Sequence, residues 1–184
     1  MKKVVQLRQI KGRSLTLRPP EAKDSGEFIE MTRSSAKFHK GLVTPPGDQR
    51  AFTDYIKRSR NGSDRCFLIL RNEDQRIAGA INLSQIFYGG FKNAYLGYYL
   101  FEQFAGRGMM KEAIGLVLHF AFLDLKLHRL EANIQPHNAA SIRLVEKCGF
   151  TNEGYSRNYL KIGGRWRDHM RWAIIKEDWK ARKK

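Results

Sequence analysis

The chain has 184 residues, 42% of them hydrophobic and 11% aromatic, with 34 Lys+Arg against 18 Asp+Glu and a formal net charge of +16. A domain of this size buries about 70% of the surface its unfolded chain exposes, and 11 Phe, 7 Tyr and 3 Trp supply a dense core; both a disordered chain and a disulfide-stapled miniprotein are excluded. The charge invites a polyanionic partner without naming one, because nucleic acid, acidic protein and phosphorylated ligands all answer to a positive field, and basic ends also serve solubility alone.

In chain order, Met1-Lys2-Lys3-Val4-Val5-Gln6 breaks into charge too early for a secretion signal. No apolar run approaches the ~20 residues that span a bilayer, so a cytoplasmic protein with no membrane contact is expected. Residues 1–18 carry Lys2, Lys3, Arg8, Lys11, Arg13 and Arg18 with no acid. Leu15 to Arg18 alternates as a short strand, and Glu21 to Arg33 has helical spacing. Gly41 to Asp48, with Pro45-Pro46, reads as a loop, and a second helix is predicted over Gln49 to Arg60. Three strands follow, Cys66 to Leu70, Arg76 to Leu83 and Ala94 to Leu100, the first two joined by the turn Asn72-Glu73-Asp74-Gln75, as an antiparallel meander. Cys66 and Cys148 lie 82 positions apart, a spacing that suits two reduced thiols rather than a metal site or disulfide framework.

After Gly108 the period changes. Met110, Ala113, Ile114, Val117, Leu118, Ala121 and Phe122 give the spacing of an amphipathic helix. Leu130, Ala132 and Ile134 alternate with polar residues as a half-buried strand that Pro136 ends. Asn138 is placed to cap a helix running through Lys147, and Gly149 to close it in the left-handed conformation. A final hairpin is read from Tyr159 to Ile162, the Gly163-Gly164 turn and the Met170/Trp172/Ile174 alternation. The order is that of a single mixed α/β domain spanning 1–184. The last stretch, 151–184, carries ten Lys/Arg against Glu153, Asp168, Glu177 and Asp178.

The sharpest local feature is Gln103-Phe104-Ala105-Gly106-Arg107-Gly108-Met109-Met110, between a strand and the strongest helix. A helix N-terminus leaves four N–H groups unpaired and carries partial positive charge, and two glycines there let backbone wrap a pyrophosphate. Arg107 would add charge. Lys111 stands where a dinucleotide fingerprint needs its third glycine, and no Gly-Lys-Ser/Thr follows as a nucleotide P-loop requires. A tight turn using glycine only for its dihedral freedom is the plain alternative. The five histidines show no metal-ligand spacing, so no metal is expected; His119 reads as structural, and His128 as ending the helix near its negative dipole.

Gln103-x-x-Gly106-x-Gly108 opening a helix resembles the coenzyme A pyrophosphate loop of the GCN5-related N-acetyltransferases (GNAT). Asn138 to Phe150, Asn-Ala-Ala-Ser-Ile-Arg-Leu-Val-Glu-Lys-Cys-Gly-Phe, resembles that superfamily's Asn-x-x-Ala/Ser…Gly-Phe segment. Within the superfamily, Tyr95-Leu96-Gly97-Tyr98, His128-Arg129, Pro136-His137-Asn138, Gly154-Tyr155 and Gly164-x-Trp166-Arg167-Asp168-His169 resemble the RimJ/RimL type, which acetylates ribosomal-protein N-termini. The likeness is densest from 94 to 172 and thin before 60, where substrate-contacting helices of that fold lie.

The resemblance implies a mixed, mostly antiparallel sheet with a V-shaped split, flanked by helices, and direct transfer of acetyl from acetyl-CoA to an amine. Such a transfer needs a route for the amine proton, an N–H donor for the oxyanion and a proton for the leaving thiolate. By analogy, backbone at Leu100 and Phe101 would hold pantetheine, and Gln103, Phe104, Ala105, Gly106, Arg107, Gly108 and Met109 the pyrophosphate. Asn138 would bond the coenzyme. Many members place a Tyr four residues after the Ser/Ala position to protonate sulfur, but Val145 stands there; the RimL-like pattern instead has Ser where Ser141 stands, so the resemblance implies Ser141 as the acid or thiolate donor, and a first-turn serine bonding local backbone is its plain alternative. Asn158 occupies the place of a carboxylate found before a Tyr-Leu pair in some relatives, which leaves Glu102, Asp168, His169 and His137 as candidate bases. The expected acceptor is a protein N-terminal α-amine, a ribosomal protein first. A small amine such as an antibiotic or amino-acid derivative, or a non-catalytic basic module binding ribosome or RNA, remains open. So do rRNA contact through the basic ends and the choice between monomer and homodimer.

Overall fold

The computed structural model describes residues 9–182. Lys2, Lys3, Arg8, Lys183 and Lys184, which carry part of the terminal charge, lie outside the described residues. In chain order the elements are β1 (Ile10–Lys11), β2 (Leu15–Arg18), α1 (Ser25–Ser34), α2 (Ala36–His39), α3 (Gln49–Ser59), β3 (Arg65–Arg71), β4 (Ile77–Phe87) and β5 (Asn93–Leu100). Then come α4 (Met109–His119), β6 (Arg129–Ile134), α5 (Ala139–Cys148), β7 (Thr151–Ile162), β8 (Arg165–Ile175) and α6 (Lys176–Ala181). One sheet of eight strands runs β1-β2-β3-β4-β5-β6-β8-β7. Every pair is antiparallel except β5 with β6.

That parallel pair carries the expected split. β5 and β6 are in register only at Asn93↔Arg129, Ala94↔Leu130 and Tyr95↔Glu131. Beyond Tyr95, β5 continues on β4 as far as Leu100, while β6 stays with β8 as far as Ile134. The closed end of the V is fastened by side chains. Asn93 Nδ2 donates to Glu131 Oε1 at 3.3 Å, and Arg129 Nε donates to the same oxygen at 2.8 Å. The guanidinium also reaches Glu153 of β7, with Nη1 to Oε1 at 2.9 Å. These bonds raise the Arg129 pKa and hold the Glu153 carboxyl below the ordinary glutamate range.

Adjacent strand residues point to opposite faces, and β5 shows which helices cover which. Tyr98 meets Ser141 of α5, whereas the Tyr99 ring lies 5.4 Å from that of His39 in α2. So α5, and α4 packed on it, cover one face, and α1–α3 the other. The second layer is aromatic: Phe28 of α1 packs on Phe52 at 4.9 Å and edge-on to Phe101 at 5.4 Å. All three are fully buried. Burial on this scale contributes about 1.5–3 kcal/mol per large side chain and fixes the far end of β5 against α1.

Gly79 of β4 sets how closely β5 approaches. A Cβ there would lie 2.2 Å from Tyr99 O and 2.8 Å from Leu100 Cα, both backbone atoms. Gly79→Ala is therefore expected to push β5 away at the split and to cost about 2–3 kcal/mol. Thermal unfolding checks it, with a fall of roughly 4–12 °C for a chain of this length.

The structure departs from the sequence reading in several places, among them the unanticipated β1 and a β4 that runs on to Phe87. β7 begins at Thr151, not Tyr159, because residues 151–158 are mostly exposed on an edge strand and its register shifts twice, between Asn152/Gly154 and Ser156/Leu160. The helix after Gly108 stays α-helical only to His119; Phe120 to Asp124 continue as a wider π turn, with Leu125 N donating to Phe120 O at 3.0 Å. The short α2 and α6 carry too few residues to show a period. His128 lies beyond the helix altogether, with Nε2 3.1 Å from Glu177 Oε2.

Candidate active site

At the start of α4, Gly106 and Gly108 both have φ of +77°, the left-handed region that glycine enters at least cost. Ala105 N donates back to Glu102 O at 3.1 Å, and Lys111 N to Gly108 O at 3.1 Å. Between them, the N–H groups of Gly106 to Met110 bond to no acceptor among the described residues. Successive unpaired N–H groups around left-handed residues form a concave anion cradle at the positive end of the helix dipole. Apart from the adjoining residues, no described atom lies within 4 Å of a Cβ placed on either glycine, which leaves open space over the cradle.

A cleft of about 630 Å³ runs from this cradle into the split. Lys111 of α4 and Arg143 and Lys147 of α5 line it. Sequence reading missed these three, because a charge on the polar side of an amphipathic helix looks like an ordinary solvated residue. Arg107, the cation it did name, is exposed and does not line the cleft.

The expected site residues divide. Leu100, Ala105, Gly106, Gly108, Asn138 and Ser141 line one cleft. Met109 packs against the core and contributes only its backbone N–H. Two assignments are corrected, and a third residue turns only its side chain away. The Phe101 N–H is spent on Ala78 O at 2.9 Å and its side chain is buried. Phe104 is 2% exposed, beneath the Arg71 and Arg76 guanidiniums. Gln103 turns its Nε2 onto Met31 Sδ at 3.1 Å. The alternation of antiparallel bonds explains what remains available: with Phe101 bonded toward β4, Leu100 presents its N–H and C=O to the split. The carbonyl accepts from His39 Nε2 at 2.8 Å, which leaves the N–H for a ligand.

Asn138 caps α5, its Oδ1 accepting from Ser141 N at 3.1 Å; its amide NH2 stays free to donate. Val145, one turn beyond Ser141, is fully buried in the core. The missing hydroxyl comes instead from the facing arm of the V, where Tyr98 OH lies 2.6 Å from Ser141 Oγ. Burial raises the Tyr98 pKa to about 12, so the phenol stays protonated at neutral pH. Either hydroxyl can donate in this pair; when Tyr98 donates to Ser141 Oγ, the serine O–H is left to donate onward. The Leu96/Tyr98/Leu100 alternation puts Tyr98 on the α5 face, but no local pattern reveals which α5 residue it meets.

Among the candidate bases, Asp168 is committed to structure. It accepts from Tyr155 OH and, at 2.7 Å, from the N–H of Asn158, and so pins the bulge in β7 where Asn158 takes a φ of +47°. Both bonds hold its carboxyl below the usual aspartate range. Glu102 and His137 are exposed and do not line the cleft; His169 does line it, 2% exposed. Phe38, Leu42, Val43, Leu160 and Ile162 give the same cleft apolar lining. The segment after α2 straps the cleft, because Gln135 Nε2 donates to Gly41 O at 2.8 Å while His39 holds Leu100.

Residues 14–151 match the family model described as acetyltransferase (GNAT) domain. The chain belongs to the GNAT acetyltransferases. This GNAT chain is 35% identical over 177 residues to the "Probable N-acetyltransferase YjcK" of Bacillus subtilis, covering 92% of this chain and 98% of that protein. Over 120 residues it is 36% identical to the [ribosomal protein uS5]-alanine N-acetyltransferase of Escherichia coli, covering 65% of this chain and 62% of that one. Its fold matches the structure of Mycobacterium smegmatis RimJ in complex with CoA-disulfide with a TM-score of 0.81, at 25% identity, covering 93% and 86% of the two chains.

A GNAT enzyme uses acetyl-CoA, which supplies an activated thioester when bound, and this cleft fits it. The unpaired N–H groups of Gly106 to Met110 suit a pyrophosphate, and Lys111, Arg143 and Lys147 suit its further negative charge. The Leu100 N–H is placed to donate to the thioester oxygen, where charge develops during acyl transfer. Asn138 and Leu100, both lining the cleft, would orient the coenzyme's chain between the two arms. Ser141, 2.6 Å from Tyr98, would be the residue to supply a proton to a departing thiolate. Among the described residues no group of three or more His, Cys, Asp or Glu side chains is arranged to hold a metal ion.

Proposed function

We propose that this N-acetyltransferase acts in the cytoplasm on the α-amine of a protein N-terminus, a ribosomal protein being the first candidate. The observation that carries the reading is the lining of the cleft, which among the described residues includes no Asp or Glu to receive a polycation. A polycationic acceptor, such as a polyamine or aminoglycoside, would need carboxylates to offset its charge. An N-terminal α-amine brings a single charge and titrates near pH 8, so a useful fraction is neutral without a strong base. The similarity to the uS5-alanine enzyme supports the ribosomal choice.

The test is incubation with labelled acetyl-CoA and, in parallel, purified ribosomal proteins, N-terminal peptides, and small amines including spermidine. Label is expected on the α-amine, with kcat/KM for spermidine at least tenfold below that for the best peptide. A small amine preferred to every peptide would overturn the choice of acceptor, and transfer to no amine would favour a binding module without catalysis.

A further inference from the structure

On β6, alternation places Glu131, Asn133 and Gln135 on one face. Glu131 belongs to the fastening at the closed end of the split, whereas Asn133 and Gln135 line the cleft. Each presents a buried side-chain oxygen, Asn133 Oδ1 and Gln135 Oε1, that no donor among the described residues reaches. A buried acceptor left without a donor costs about 1–3 kcal/mol, and two on one wall of one cleft are available to a donor-bearing group that enters it. Extending the β6/β8 register by one pair beyond Ile134↔Met170 brings His169 opposite Gln135, on the same face. The His169 Nδ1 sits 2.9 Å from Arg167 O. A carbonyl can only accept, so Nδ1 carries the hydrogen and Nε2 of the neutral ring keeps its lone pair.

We propose that these three residues form the acceptor-amine subsite: the oxygens of Asn133 and Gln135 receive N–H groups of the incoming amine, and His169 Nε2 takes the proton it must lose. The inference rests on the acyl-transfer reading above and adds to it the residues and the class of acceptor. Neutral oxygens orient an amine without rewarding further positive charge. The apolar lining that Phe38, Leu42, Val43, Leu160 and Ile162 give the same cleft favours a primary amine joined to a small or apolar group.

The protons balance. An ammonium gives one proton to Nε2, and its freed lone pair forms the C–N bond at the thioester carbonyl carbon. The C–S bond then breaks. The surplus proton on nitrogen is matched by the one the thiolate takes through Ser141, and His169 returns its own to solvent. Burial lowers the His169 pKa and keeps the ring neutral at physiological pH. Asp168 next to it and the Arg167 carbonyl act the other way, His137 adds to the lowering, and Tyr159 of β7 packs with its ring centre 6.1 Å away.

The experiment compares wild type, His169→Gln and Asn133→Leu with a peptide acceptor from pH 6 to pH 9, coenzyme affinity being measured separately by calorimetry. His169→Gln is expected to lose at least tenfold in kcat at pH 7 and to recover to within about threefold of wild type at pH 9, where an α-amine is neutral unaided. Asn133→Leu is expected to raise the acceptor KM at least fivefold with coenzyme affinity unchanged. A His169→Gln loss that is absent, or equal at every pH, overturns the proposal, and so does an unchanged KM in Asn133→Leu. If wild type acetylates the peptide while the variants match it, the subsite fails alone; if wild type acetylates no amine, the functional reading fails with it.

Discussion

Gly106→Glu is expected to weaken acetyl-CoA binding at least 100-fold, about 2.7 kcal/mol, while the domain stays folded. Two effects act together. The residue has φ of +77°, so any side chain adds strain of about 1–2 kcal/mol or forces the turn to relax and turns the N–H groups of 106–110 away from one centre. The carboxylate then occupies open space over those N–H groups and competes with the pyrophosphate for them. Because a Cβ here meets nothing within 4 Å, stability should fall only by the strain, lowering the melting temperature by roughly 2–8 °C. Gly106→Ala separates the two contributions. It carries the strain without the charge and is expected to cost about tenfold in affinity, close to one 1.4 kcal/mol step. Calorimetric titration of both variants with acetyl-CoA decides. Unchanged affinity in a folded Gly106→Glu would mean that the two glycines serve only the turn.

How much of this site the sequence discloses follows from how local each feature is. The α4 cradle and the α5 cap are readable because the signal lies within a few residues: glycines where φ is positive, Asn138 three positions before the N–H it accepts from, Gly149 closing the helix at φ of +91°. The strand meander is readable because alternation survives in buried strands. Features that depend on which strand lies beside which are not. Tyr98 and Ser141 are 43 residues apart, and their meeting requires β5 to leave β6 after Tyr95 while α5 crosses behind. Gly79 looks like a weak point in a strand until Tyr99 O is placed against it. Asp168 enters as a candidate base only because Asn158 replaces the expected carboxylate; the bulge it pins is visible only once Asn158 and Tyr155 are folded onto it. The Phe101 assignment fails for a related reason. Backbone donors alternate toward and away from a neighbouring strand, and the phase of that alternation is set by pairing with Ala78, not by the residue itself.

Tyr98→Phe and Ser141→Ala are each expected to lower kcat about 10- to 100-fold, the lower part of the range for a general acid because a thiolate is a fair leaving group. Neither should change coenzyme affinity more than about threefold, since the proposed donation strengthens as charge builds on sulfur rather than in the bound ground state. The decisive measurement is the double variant. If Tyr98 acts only through Ser141, removing both costs no more than the worse single change, whereas independent roles would multiply to roughly 100- to 10,000-fold. Single-turnover acetylation of a peptide keeps product release from hiding the step. The pH dependence carries a sign as well. Burial raises the Tyr98 pKa to about 12, so its donor form persists from neutral pH upward and is lost only as pH approaches that value. Tyr98 should therefore add no alkaline limb below about pH 10, and Tyr98→Phe should lower the pH profile by a constant factor across pH 6 to pH 9. A loss in Tyr98→Phe that grew with pH in that range would place the phenol's titration, not its hydrogen bond to Ser141, at the centre of the effect.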